Sequence, residues 1–241
     1  MKPYGFVTVR VASSRLKKKC LLPFGEGNVL EHVIRRAVFF DFQPVVCTTD
    51  QKEDDIIEKI AKKENVLCFR GSSKDKLKRW LDACDAFQID AFHTIDADDP
   101  FFDGQLDQES FQLLQKKNYD VIYPPKNLYV GSVGFSLKTD LIRKACQLKT
   151  SDDTEMMWYY LEKVPGIKKM ELPVHDTRIS DIRLTLDYEE DYWMLLTVLR
   201  ILGPHATRED IEDLFVRNPD LYKLNWFRNE AWKQGQLAKK I

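Results

Sequence analysis

The sequence predicts an α/β fold: a mostly parallel, Rossmann-like sheet with helices on both faces and a helical C-terminal extension. Three observations predict it. Short apolar, β-branched runs alternate with amphipathic helical stretches through the first half of the chain, which is the βαβ order of a parallel sheet. The 241 residues suffice for one well-packed domain and are short for two. Hydrophobic residues make up 44% and charged residues 31%, the balance of a globular chain.

Each element has its own signal. Residues 5–11 form a short apolar run, expected as a buried first strand. Asn28 can cap a helix to about Phe40, with Val29, Leu30, Val33, Ile34 and Ala37 on one face. Residues 44–49 give a second strand, 51–63 a helix with Ile56, Ile57, Ile60 and Ala61 as its apolar stripe, and 66–69 a third strand. A helix over 74–87 and a strand over 91–97 complete the first half.

The second half is more mixed. Helices are expected over 108–116, 139–147, 152–162 and 189–202, and strands over 120–123, 131–137, 167–174 and 182–186. Gly203-Pro204 stops the long apolar helix, and the tail reads as two further helices broken near Pro219. Without repeat or linker, the expected division is an α/β domain over 1–204 and a helical extension over 205–241 packed on it.

Charge and cysteine usage exclude several classes. Lys+Arg (37) and Asp+Glu (38) nearly cancel, which argues against a nucleic-acid partner held by bulk charge. No apolar run approaches the ~20 residues of a membrane span, and the start lacks a signal-peptide pattern, so a cytoplasmic protein is expected. The five cysteines are widely spaced with no CxxC, and the four histidines form no HExxH, which leaves reduced thiols and no zinc site as the expectation.

Two segments carry chemistry. The first strand runs into Arg10-Val11-Ala12-Ser13-Ser14-Arg15-Leu16-Lys17-Lys18-Lys19, at the carboxyl end of the strands, where ligands of such sheets bind. Its cations and hydroxyls suit a triphosphate, although it is neither a Walker A loop nor a dinucleotide fingerprint; for Lys17 and Lys18 alone, a solvated turn explains as much. Arg10 is expected to be buried at the strand end, where an unpaired cation would be costly. The second segment is Asp96-Ala97-Asp98-Asp99-Pro100, where alternation puts Asp96 and Asp98 on one face, a pair that calls for a cation such as Mg²⁺. A further acidic set starts at Asp187, which could equally be a helix cap.

The basic segment resembles the Ala-Arg-x-x-Ser-x-Arg-Leu-x-x-Lys signature of the nucleotide-sugar cytidylyltransferases. These include the 3-deoxy-manno-octulosonate and acylneuraminate enzymes and the spore-coat polysaccharide biosynthesis branch, whose C-terminal extension the tail also resembles. Arg10, Ser13, Arg15, Leu16 and Lys19 match; Val9 replaces the usual alanine, and Lys17-Lys18 replaces a common Pro-Gly. Asp98-Asp99-Pro100 and Arg183-Leu184-Thr185-Leu186-Asp187 resemble the family's two acidic motifs.

The resemblance implies that Arg10, Arg15 and Lys19 grip the triphosphate of CTP, that Ser13 and Ser14 line its pocket, and that Asp98 and Asp187 hold Mg²⁺. It places Asp50, Ser72, Arg79 and Asp96 near the nucleotide, and Lys126, Asn127, Gly131, Glu155 and Arg183 near a sugar acceptor, expected to be acidic. For Asp50 a helix cap is an equal alternative. The implied activity is synthesis of a CMP-sugar and pyrophosphate for surface polysaccharide or glycoconjugate, in a homodimer. The alternatives are a metal-dependent glycosyltransferase of similar fold, which the density of cations in the first loop disfavours, and a non-catalytic nucleotide-binding protein.

Overall fold

A computed structural model describes residues 2–173, 178, 179 and 181–238. The elements, in chain order, are β1 (Tyr4–Thr8), β2 (Pro23–Phe24), β3 (Gly27–Asn28), α1 (Val29–Phe39), β4 (Gln43–Thr49), α2 (Asp55–Lys63), β5 (Leu67–Gly71), α3 (Lys76–Phe87) and β6 (Ala91–Asp96). There follow α4 (Gly104–Lys117), β7 (Val121–Tyr123), β8 (Ser136–Lys138), α5 (Thr139–Leu148), α6 (Met157–Leu161) and β9 (Lys169–Glu171). Four helices end the chain: α7 (Glu189–Leu202), α8 (Arg208–Arg217), α9 (Pro219–Tyr222) and α10 (Arg228–Ala238).

Seven strands form one sheet in the order β5-β4-β1-β6-β8-β7-β9, and β2 pairs with β3 in a separate small hairpin. The strands β5, β4, β1 and β6 are parallel, whereas β8 runs antiparallel to both β6 and β7. The sheet is therefore the mostly parallel one that the strand–helix alternation predicts. Period-2 alternation divides its two faces. Phe6, Val45 and Phe92 pack with Leu77, Trp80, Leu141 and Leu161 on one side. Val7, Val46 and Ile95 pack with Leu30, Val33, Ile34 and Ile57 on the other.

Local capping explains the helix starts. Asn28 accepts from the Glu31 amide, and the Glu31 carboxylate accepts from the Asn28 amide, closing a capping box at α1. Asp75 and Asp103 cap α3 and α4 in the same sense. Arg36, 1% exposed, donates to the carbonyls of Phe102, Pro204 and Ala206 and so ties α1 to the start of the tail.

Several boundaries differ from the sequence expectation, each because packing, not propensity, decides short segments. Of the strand expected over 131–137, only the end is ladder-bonded (β8); residues 131–135 form an irregular approach to it. The strand expected over 182–186 is an extended segment with one bridge, Val130 to Arg183. The helix expected over 152–162 shrinks to α6, so Glu155 precedes it instead of riding on its first turn. Among its described residues the tail holds three helices, not two. Val174, at the end of the strand expected over 167–174, and residues 239–241 of the tail lie outside the described residues. All five cysteines are free. Among the described residues, no helix is long and apolar enough to cross a membrane.

Candidate functional site

The chain leaves β1 under tight control. The Val9 amide donates to the Cys47 carbonyl at 3.2 Å, which carries the β1–β4 pairing one residue past the strand. The Val11 amide then donates to Asp54 Oδ1 at 2.7 Å. Asp54 is 1% exposed and also accepts from the Thr49 amide and hydroxyl, so one buried carboxylate fastens the ends of β1 and β4 together. Beyond Val11 the loop is open to solvent until Cys20, which is buried among Val9, Val11 and Leu30. Lys18, just before a 3₁₀ turn over Lys19–Leu21, has φ 53°, the left-handed conformation that glycine favours. The resemblance puts a glycine at this position, and the lysine here takes a conformation that a glycine would adopt without strain.

The turn aims Lys19 at two carboxylates. Its Nζ donates to Asp98 Oδ2 at 2.5 Å and to Asp187 Oδ1 at 2.8 Å. Arg15 Nη2 donates to the same Asp187 oxygen at 2.6 Å. The two aspartates meet because the segment before α7 lies along the end of β6: the Leu186 amide donates to the Asp98 carbonyl at 2.6 Å. Burial works against the Lys19 charge, but the two carboxylates outweigh it and raise its pKa above the ordinary lysine value. Burial likewise pushes Asp187 up, yet Lys19, Arg15 and Arg183 together hold it below the ordinary carboxylate range. Asp99 goes the other way, raised well above that range by burial and then by the charges of Asp98 and Asp96.

These residues open on a cleft of about 1100 Å³. Its apolar lining is formed by Pro124, Pro125, Leu128, Val130, Val133 and Phe135, with Met156 and, from the tail, Trp232. A second set of charges lies away from Lys19. Arg10 Nη1 pairs with Glu155 Oε1 at 2.9 Å, and Lys76 Nζ lies 3.5 Å from Asp96 Oδ1 and 4.9 Å from the Trp80 ring centroid. Arg79, 3% exposed, donates through Nη1 to the Ser72 carbonyl at 2.5 Å.

The donor set fits a divalent ion. Asp98 and Asp187 already converge on one cation, the Lys19 ammonium, and Asp96, Asp98 and Asp99 each offer an oxygen within 4.8 Å of the others. Carboxylate oxygens are the ligands that hard divalent cations take from proteins.

Of the residues the sequence singled out, Arg10, Ser13, Ser14, Arg15, Lys19, Arg79, Asp96, Asp98, Gly131, Glu155 and Asp187 line this one cleft. Arg10, expected buried, has a side chain 44% exposed and is held by Glu155 instead of by burial. Five others do not line it. Asp50 is exposed, accepts from its neighbour Gln51 and caps no helix, since α2 starts after Asp54. Ser72 lies over the start of α3, where its hydroxyl accepts from the Asp75 amide. Lys126 and Asn127 are exposed, with Lys126 paired to Glu171. Arg183 is fully buried behind Asp187, bound to it and to Asp191. Sequence patterns missed Lys76, Asp99 and Trp232 in the cleft and Asp54 beneath it. A Lys at the first turn of α3, facing the strand ends, was the one available signal, for Lys76.

A family model described as cytidylyltransferase matches residues 5–215. The structure of a cytidylyltransferase from Leptospira borgpetersenii superposes with a TM-score of 0.84 at 28% identity, covering 92% of this chain and 97% of that one. The spore coat polysaccharide biosynthesis protein SpsF of Bacillus subtilis is 26% identical over 227 residues, 89% of this chain and 94% of its own. The structure of a CMP:2-keto-3-deoxy-manno-octonic acid synthetase complexed with CTP shares the fold, with a TM-score of 0.64 at 14% identity over 83% of this chain and 99% of that one.

Proposed function

The chain belongs to the cytidylyltransferase family, and we propose that it transfers CMP from CTP to a hydroxyl of a sugar acceptor, releasing pyrophosphate. One observation carries this: the cationic turn after β1 and the two distant aspartates meet at Lys19, inside a cleft large enough for a nucleoside triphosphate and an acceptor together.

In the proposed reaction an acceptor oxygen attacks the α-phosphorus in line. The P–O bond to the departing pyrophosphate breaks as the new one forms. The protein contributes alignment and charge neutralisation. Arg15 and Lys19 turn from the aspartates to the phosphates, where their donors meet the charge gathering on pyrophosphate. Ser13 and Ser14 offer hydroxyls to the same phosphates, and Arg10 extends the row of cations. Asp98 and Asp187 would hold Mg²⁺, which when bound supplies Lewis-acid neutralisation of the α-phosphate. Arg79 and Lys76 face the nucleotide from α3, and the apolar wall with Glu155 and Gly131 receives the acceptor. The surface-polysaccharide role and a homodimeric state follow from the same resemblance.

The test is pyrophosphate release from CTP with Mg²⁺ over a panel of acidic and neutral sugars. Asp98→Asn and Asp187→Asn are each expected to reduce it by a factor on the order of 10³ while leaving the fold intact. Near-normal release by either variant removes that aspartate from the metal site, and nucleoside diphosphate as the product would replace the activity itself.

A further inference from the structure

We infer that Asn225, in the tail beyond the family-matched residues 5–215, is a positioning residue for Asp187 and thereby for the metal. The inference rests on the proposed role of Asp187.

The connection is continuous. Asn225 is 0% exposed although it lies in the turn between α9 and α10, where surface residues are the rule. Its Nδ2 donates to Asp191 Oδ1 at 2.9 Å and to the Arg183 carbonyl at 3.1 Å. Asp191, also 0% exposed, is the hub. Its Oδ1 accepts from Arg183 Nε at 2.9 Å, and its Oδ2 accepts from Arg183 Nη2 at 3.2 Å and from the amides of Asp187 at 2.8 Å and Tyr188 at 2.9 Å. Arg183 Nη2 then donates to Asp187 Oδ2 at 3.1 Å, opposite the oxygen that faces Lys19 and Arg15.

The bonding explains how Asp187 is oriented. One carboxylate oxygen is held from behind by Arg183, which leaves the other for the cleft. Arg183 can present that bond only while Asp191 fixes its guanidinium plane, because a buried arginine set between two carboxylates has more than one way to turn. Asn225 removes the choice by taking Asp191 Oδ1 and the Arg183 backbone at once. Partners of this outer kind typically set metal affinity by 10–100-fold. The surrounding tail is itself anchored beside this network, since Arg228 pairs in bidentate fashion with Glu190 at 2.7 and 3.1 Å and lies 4.6 Å from the Tyr188 ring centroid.

The experiment is calorimetric titration of CTP into the full chain with and without Mg²⁺, in which no acceptor is needed. In the wild type Mg²⁺ is expected to tighten CTP binding. In Asn225→Ala that tightening is expected to fall roughly 10-fold, with metal-free CTP affinity unchanged. Asn229→Ala is the control: it loses only a bond to the Asp181 carbonyl and should retain the full Mg²⁺ response while sharing any loosening of the tail. Equal responses in Asn225→Ala and wild type, or equal losses in Asn225→Ala and Asn229→Ala, overturn the positioning role. A wild type whose CTP affinity ignores Mg²⁺ overturns the metal role of Asp187 itself. If the alanine variant does not fold, Asn225→Ser is measured against the same outcomes.

Discussion

Lys19 Nζ lies between Asp98 Oδ2 at 2.5 Å and Asp187 Oδ1 at 2.8 Å, so one ammonium neutralises two carboxylates separated by 89 positions in the chain. This lysine holds the acidic pair together. In the proposed reaction it turns from them to the phosphates. Lys19→Ala should therefore lower kcat/KM for CTP by a factor on the order of 100 and raise KM for CTP. An unchanged KM would take Lys19 out of the phosphate site.

Lys18 adopts a left-handed backbone at φ 53°, which costs a residue with a Cβ about 1 kcal/mol relative to glycine. Its side chain is exposed. Lys18→Gly is expected to stabilise the fold by up to ~1 kcal/mol in urea unfolding, offset in part by the freedom glycine gains in the unfolded chain, with turnover nearly unchanged. A destabilisation of that size would show that the lysine is not strained.

Gly131 has φ +86°, and a Cβ there would lie 2.6 Å from the Thr185 amide nitrogen, 2.7 Å from the Leu184 carbonyl carbon and 2.9 Å from Asp99 Oδ1. Two of these neighbours are backbone and cannot swing aside. Gly131→Ala is expected to cost about 1–3 kcal/mol and to displace the 184–185 segment that leads to Asp187, so pyrophosphate release should fall along with the melting temperature. Wild-type values for both would mean the loop has slack that the contacts do not show.

His32 is buried, and its Nε2 donates to the Pro100 carbonyl at 2.8 Å, just past the acidic cluster. Burial, assisted by Arg36, pulls its pKa down to about 4. The folded state therefore refuses a proton that the unfolded chain accepts near 6.5. Its contribution to stability is complete above that pH and is lost as pH falls towards 4. Between pH 7 and 5 this one group should cost about 2 kcal/mol. Comparing unfolding at the two pH values in wild type and His32→Gln isolates it; an equal decline in both would refute the assignment.

The parts of the fold and cleft visible in the sequence are those set by local rules. β1, β4, β5 and β6 are apolar runs between amphipathic helices, and their carboxyl ends had to share one edge, which put Arg10, Asp96 and Asp98 together. The Asn28 cap was visible for the same reason, though not the reciprocal Glu31 bond that completes its capping box. What was hidden depends on long-range contact. The strands expected over 120–123, 131–137 and 167–174 do hold β7, β8 and β9, but with three ladder-bonded residues each no period shows where they begin and end or that β8 is reversed. Arg183 sits four residues before Asp187 in an ordinary-looking strand pattern, and only its complete burial shows that it faces the aspartate instead of a substrate. Asp54 and Asn225 act on partners 43 and 34 residues away, and polar residues in turns look alike until the chain closes on them.

The reversal at β8 has a consequence for how such a protein can change its substrate. Residues 124–135 leave the cleft-side end of β7 and return into β8 beside β6, twelve residues pinned at Val130, whose carbonyl accepts from the Leu184 amide, and at Phe135, whose carbonyl accepts from the Thr94 amide. Lengthening such a span costs little, since closure entropy grows only with the logarithm of its length. Exchanging its first residues, 124–128, between relatives would swap part of the proposed acceptor wall as a cassette, while Val130 and Gly131 stay in place against the segment that leads to Asp187.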